Sequence, residues 1–181
     1  MRSKINLDVI VEDERWVEEV DFDAIKVAEE LKNLAFDFVE HEIAKGKHEI
    51  LSIGKKLQLN VCLSNDEAVH KLNKEFRGID KPTNVLSFAQ VDEDEFWDSL
   101  HDEDESEFGD IILAYETLKR EALEKNITVY AHYCHLLVHG FLHILGYDHQ
   151  NDEEAEEMEG IETDILAVFS IEDPYAEEEE A

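Results

Sequence analysis

The sequence is poor in cysteine, in positive charge and in long apolar runs, and each shortage removes a class of protein. Only two cysteines occur, Cys62 and Cys134. They stand far apart and form no CxxC pair, which excludes a disulfide-stapled scaffold and a cysteine-based zinc ribbon. Both read as buried, reduced thiols of a cytosolic protein. Lysine and arginine number 16 against 47 aspartates and glutamates, for a formal net charge of −31. That balance excludes a nucleic-acid binder working through overall charge. No apolar stretch approaches the length of a membrane span, so no membrane partner is expected. The opening residues, MRSKINLDVIVEDE, lack the apolar run of a signal peptide. The expectation is a soluble, cytoplasmic protein. There is no internal repeat and no second domain. Residues 1–175 read as one domain and 176–181 as an acidic tail, with DPYAEEEEA at the end expected to fray.

What the chain does have is HGFLHILGYDH, from His139 to His149. Residues i and i+4 of an α-helix share a face, about 6 Å apart along the axis. His139 and His143 can therefore aim at one point. A continued helix would turn His149 about 80° from His139 and raise it about 15 Å. The chain must double back, and Gly146 suits the left-handed conformation that ends many helices. Tyr147-Asp148-His149 can then bring a third imidazole beside the first two. Three neutral imidazoles leave one position of a tetrahedral Zn²⁺ for water, the catalytic arrangement. Gly140 stands where HExxH zincins carry their catalytic glutamate, so that base is missing. Cys134 lies five residues before His139 and off its face, and is not taken as a ligand. His135 sits one turn before His139 on the same face. It reads as a partner of a ligand, a substrate contact or a satisfied polar residue. Asp148 either orients an imidazole, serves as a base, or simply forms the turn.

Periodicity supplies the rest. Lys4–Val11 and Leu57–Leu63 alternate as strands, Val85–Phe88 is a short strand, and Gly109–Ala114 is a buried one. Helices are expected from Asp21 or Asp23 to about Ala44, from a cap at Ser64 or Asn65 to about Phe76, over Tyr115–Lys125, Val129–Leu145 and Asp152–Phe169. In the last helix Met158, Ile161, Ile165, Leu166 and Phe169 point inward, and the outer face is rich in glutamate. Residues 91–108 carry ten acids and read as an exposed loop, with Phe96 and Trp97 either anchoring it or lining a groove. Strands interleaved with helices predict an α/β (α+β) fold, a small mixed sheet packed with helices. Arg77 and Lys81, in a chain short of cations, fit two readings equally: charges complementing a helix end, or an anion-binding corner.

Three stretches together resemble the YbeY family of bacterial rRNA maturation factors: FRGIDKPTNVLSF at 76–88, FGDIILA at 108–114, and HGFLHILGYDHQNDEEAEEME at 139–159. The likeness runs from about Leu57 to Tyr175. It implies an α/β fold with the metal site at a helix end. It also implies a zinc-dependent, single-strand-specific endoribonuclease of 16S rRNA 3′-end maturation and late ribosome quality control. One zinc ion per chain would be held by His139, His143 and His149. Arg77 matches the arginine across the family's cleft that is implicated in RNA cleavage. The partners implied are single-stranded rRNA, the small ribosomal subunit and its assembly proteins. Ala89 departs from a proline common after LSF, and the 91–108 loop is unusually long and acidic. With Arg77, the cations Lys71, Lys74 and Lys81 are expected to make a locally positive groove for RNA. A metallopeptidase and a non-catalytic assembly factor with structural zinc are the rival readings.

Overall fold

A computed structural model describes residues 3–43, 54–90, 96, 105–148 and 150–175, with backbone alone at 40–43. A four-stranded sheet forms its centre. Strand β1 (Lys4–Val11) runs parallel to β2 (Lys56–Ser64), and β2 runs parallel to β4 (Glu105–Ala114). The short β3 (Val85–Ala89) closes the other edge antiparallel to β4, giving the order β1-β2-β4-β3. Six helices are described around it: α1 (Arg15–Glu18), α2 (Ala24–Ile43), α3 (Asp66–Arg77), α4 (Tyr115–Glu124), α5 (Val129–Ile144) and α6 (Asp152–Val168). The mixed sheet packed with helices is the architecture that the sequence predicts.

Both faces of the sheet are covered, as parallel strands require. Leu57, Leu59, Val61 and Leu63 of β2 are fully buried and share one cluster with residues of α2, α5 and α6. The alternate residues of β4, Ile112 and Ala114, join Val69 of α3 and Leu86 in a smaller cluster on the opposite face. The period-2 alternation thus sorts each strand's side chains between two cores.

Helix α5 is apolar on nearly all sides, with Tyr133, Cys134, Leu137, Val138, Phe141, Leu142 and Ile144 inaccessible to water. It lies close against the sheet because two glycines leave space. A Cβ on Gly109 would stand 2.4 Å from Ile144 Cδ1, and one on Gly140 would stand 3.0 Å from Ile111 Cδ1 and 3.2 Å from Ser87 Oγ. Asn65, Thr128 and Asn151 cap α3, α5 and α6 through their side chains, each accepting from the backbone N–H three residues on.

Two boundaries differ from the sequence reading. Strand β4 begins at Glu105, so 105–108 belong to the sheet and not to the acidic loop. Glu105 and Glu107 face outward while Ser106 and Phe108 are buried, an alternation hidden in a run of charge. Phe96 is buried in the main cluster. Trp97, the remainder of the 91–104 segment, the connection at 44–53 and the tail at 176–181 lie outside the described residues. The end expected to fray is ordered as far as Tyr175, which donates a hydrogen bond to Glu162. Among the described residues no helix is long and apolar enough to cross a membrane.

Candidate active site

Four histidines, His132, His135, His139 and His143, run along α5. At 100° per residue they fall within an arc of about 80°, and all four line one cleft of about 1000 Å³. Their ring centroids follow one another at 6.2, 6.3 and 4.5 Å. The His139 and His143 rings stand nearly perpendicular, with their Nε2 atoms 3.0 Å apart. The i, i+4 spacing delivers the convergence expected of it.

What holds the pair comes from α6. Glu162 is fully buried. Its Oε1 lies 2.5 Å from His139 Nδ1, and its Oε2 lies 3.3 Å from His135 Nε2. Tyr175 donates its hydroxyl to the same Oε2, and that hydroxyl also lies 3.1 Å from His135 Nε2. Burial pushes the Glu162 carboxyl upward, but the hydrogen bonds from His135 and His139 outweigh it and bring its pKa down to about 2. An ionised carboxylate only accepts, so His139 Nδ1 carries the proton, and in the neutral ring the lone pair is left on Nε2, beside His143. Glu162 thereby fixes both the tautomer and the direction of the ring.

The cleft continues towards the start of α5. His132 is buried, and its Nε2 lies 2.9 Å from Glu121 Oε1, which also accepts from Asn84 Nδ2 at 2.9 Å. Burial pushes the His132 imidazole below its ordinary pKa. Glu121 is held below the carboxylate range, since bonds from His132 and Asn84 overcome its own burial.

The far end of α5 closes as the glycine predicts. Gly146 takes φ +99°, Gly146 N–H donates to His143 O at 2.9 Å, and Tyr147 N–H donates to Leu142 O at 3.0 Å. This paired arrangement ends a helix and reverses the chain. It sets Tyr147 and Asp148 on the cleft wall. His149, the expected third ligand, lies outside the described residues.

The facing wall belongs to α3 and β3. Arg77 is the last residue of α3, and Gly78 turns the chain away at φ +69°. Arg77 donates from Nη2 to Ser87 O at 2.8 Å and lays its guanidinium 5.3 Å from the Phe88 ring centre. Arg77, His135, His139, His143 and Asp148 therefore share one cleft. Lys74 and Lys81 are not in its lining. Lys74 reaches Asp80 at 3.9 Å, and Lys71 reaches Glu67 at 3.6 Å. The second cation on the cleft is Lys125, at the end of α4.

Sequence reasoning missed Glu162 and Tyr175. Glu162 lies four residues after Met158 and three before Ile165, within the apolar stripe of α6, and a lone charge on that stripe was the available signal. Tyr175 gave none, standing in an acidic terminal segment.

Comparison with known proteins agrees with this architecture. The family model described as Endoribonuclease YbeY matches residues 12–170. The endoribonuclease YbeY of Bradyrhizobium diazoefficiens is 41% identical over 173 residues, covering 94% of this chain and 85% of the relative. That of Agrobacterium fabrum is 40% identical over 177 residues, covering 98% of both chains. The solution structure of TM1509 from Thermotoga maritima superposes with a TM-score of 0.55 at 23% identity, over 91% of this chain and 92% of that one, a likeness of fold. The histidine-bearing helix and the arginine wall both fall inside the matched region, and the chain belongs to the endoribonuclease YbeY family.

Proposed function

We propose that this chain is a zinc-dependent endoribonuclease specific for single-stranded RNA, acting in 16S rRNA 3′-end maturation and late-stage ribosome quality control. One observation carries the reading: the His139–His143 pair, held from behind by a buried carboxylate, faces Arg77 across a single cleft. Membership of a family whose members are named endoribonucleases supports RNA as the substrate. The ribosomal assignment rests on the resemblance of the three motifs. The small subunit and its assembly proteins would supply the docking that so acidic a chain lacks by itself.

The two described imidazoles, His139 and His143, are compatible with a zinc ion. Two ligands of a tetrahedral Zn²⁺ with bonds of 2.0–2.1 Å stand about 3.4 Å apart, and the two Nε2 atoms, at 3.0 Å, reach that spacing by a small rotation. The carboxylate on His139 Nδ1 is the partner that metal-ligating imidazoles ordinarily have. His139, His143 and His149 would hold the ion, which when bound brings the pKa of a coordinated water to about 7 and polarises a phosphoryl oxygen. The protein's own groups do the rest. Arg77 presents a planar fork to the scissile phosphate and offsets the charge that develops on it. Its bond to Ser87 O and its contact with Phe88 hold that fork in place. Glu162 and His135 are positioning residues, since both act through His139 or through each other. Asp148 lines the cleft, and in this reading it would take a proton from the attacking group.

The peptidase reading is disfavoured at Gly140, where the glutamate of HExxH enzymes is missing; a Cβ there would already crowd Ile111 and Ser87 at 3.0–3.2 Å. Cleavage of single-stranded RNA, its duplex and a peptide panel, with and without a chelator, tests the proposal. Chelator-sensitive cutting of the single strand alone supports it. Peptide hydrolysis, or cutting indifferent to the chelator, overturns it. If the protein is a non-catalytic assembly factor instead, Arg77→Glu leaves ribosome maturation normal and chelation unfolds the chain.

A further inference from the structure

The cleft rim carries an aromatic side chain that the cleavage chemistry does not use. Phe76 is 61% exposed. A single exposed apolar residue is ordinary on a protein surface. Among the described residues Leu123, Val168, Val17, Ile10, Ile25, Ile79 and Ile127 are others, all of them aliphatic and none of them on the cleft. Phe76 is aromatic, lines the cleft, and precedes the arginine that faces the histidines. Its ring meets Phe88 edge to face, with centroids 5.7 Å apart and planes at 68°. Phe88 in turn supports the Arg77 guanidinium. The contact steadies the Phe76 ring while most of its surface stays open to solvent. Burying an apolar ring is the stabilising choice for folding alone, and Phe76 stays outside the neighbouring cluster of Val69, Leu86, Ile112 and Ala114.

We propose that Phe76 is a nucleobase-stacking platform, which receives an unpaired base of the RNA next to the phosphate held by Arg77. This rests on the endoribonuclease reading and adds to it a source of single-strand preference. An aromatic face accepts any base, without sequence preference, but only a base freed from its own helix can lie on it. The cation beside the ring and the ring itself then grip consecutive parts of one nucleotide, charge on phosphate and π-face on base. The flanking Phe88 has one side given to Arg77, which leaves Phe76 as the ring placed for the base.

The test is binding and cleavage of one single-stranded RNA oligonucleotide and of the same oligonucleotide with an abasic nucleotide stepped along it. Wild type is compared with Phe76→Ala and Phe76→Tyr, after thermal melting shows all three equally folded. Loss of one base–aromatic stack corresponds to about tenfold weaker binding. Phe76→Ala is expected to bind the intact RNA about tenfold more weakly, and Phe76→Tyr to bind it as wild type does. One abasic position is expected to weaken wild type by a similar factor and to leave Phe76→Ala unaffected, the non-additivity that marks a direct contact. The subsite is overturned if wild type cuts and Phe76→Ala binds and cuts every RNA equally well, or if the abasic penalty is the same in both proteins. Wild type that neither binds nor cuts RNA overturns the endoribonuclease reading itself.

Discussion

A single buried carboxylate decides how the His139 imidazole faces the cleft. Glu162 accepts from His139 Nδ1 and so commits Nε2 to the side where His143 waits. Glu162→Gln keeps the shape but replaces an ionised acceptor with an amide. Removing such a partner from a ligating imidazole costs about 10–100-fold in metal affinity. Competition against a chromophoric chelator should show a loss in that range, and unchanged zinc affinity would remove Glu162 from the positioning role. The neighbouring positions were unequally legible. The His139–His143 pair announces itself by spacing, since a helix brings i and i+4 together whatever surrounds it. Glu162 does not, because one more glutamate on a helix already carrying acids at 152, 153, 154, 156, 157 and 159 looks like a solvated face. Only the stripe of Met158, Ile165 and Leu166 shows that position 162 turns inward. Gly140, read first as a missing catalytic glutamate, is explained by packing against Ile111.

The turn that ends α5 and the ties at the entry to α3 hold the two helices that carry the histidines and Arg77. Gly146 holds φ +99°, where any side chain is strained although no atom stands near its Cβ. Gly146→Ala should cost about 1–2 kcal/mol. For a chain of this size that lowers Tm by roughly 2–8 °C, and the loosened turn should also weaken zinc binding, since it sets Asp148 on the cleft wall and precedes the proposed ligand His149 in the chain. A melting temperature equal to wild type would contradict this. At the other end of the sheet, Arg15 bonds both Asp13 and Glu116, and Asp66 bonds Thr117, tying α1, α3 and α4 together. The side-chain bond from Arg15 holds the Asp13 carboxyl well below the carboxylate range. The folded chain therefore protonates less readily there than the unfolded one. This contribution is present above about pH 4 and is lost as pH falls towards the folded value. Acid unfolding of Asp13→Asn should show a shallower loss below about pH 4 than wild type. An unaltered acid profile would mean that the Arg15 bonds add nothing. These tertiary ties left no periodic trace. Helix and strand patterning is local, whereas the partner of Arg15 lies 101 residues away.

At the scale of the whole molecule the charge of −31 has to coexist with a polyanionic substrate. Screening reaches about 8 Å at physiological salt, so acids remote from the cleft contribute little there. Among the described residues the cations on the cleft are Arg77 and Lys125, fewer than the groove of Arg77, Lys71, Lys74 and Lys81 that the sequence suggests. Two phosphate contacts on a single strand give a slope of about −1.4 in log affinity against log salt. A titration should find weak binding to naked RNA with a slope of that order. A flat response would rule out phosphate contacts as the main attraction, and a much steeper one would demand a basic surface beyond the cleft. The fold itself was largely legible, because two clean alternating strands and an apolar helix leave few ways to bury both faces of a small sheet. The start of β4 was not, because Glu105 and Glu107 disguise its alternation.

The central claim is that an ion held by His139, His143 and His149 works opposite Arg77. Zinc content measured on wild type, His143→Ala and Arg77→Glu, beside cleavage of one single-stranded RNA, tests it most directly. The account predicts one zinc per chain in wild type and in Arg77→Glu, much less in His143→Ala, and cutting by wild type alone. Full zinc in His143→Ala, or undiminished cutting by either variant, would contradict it.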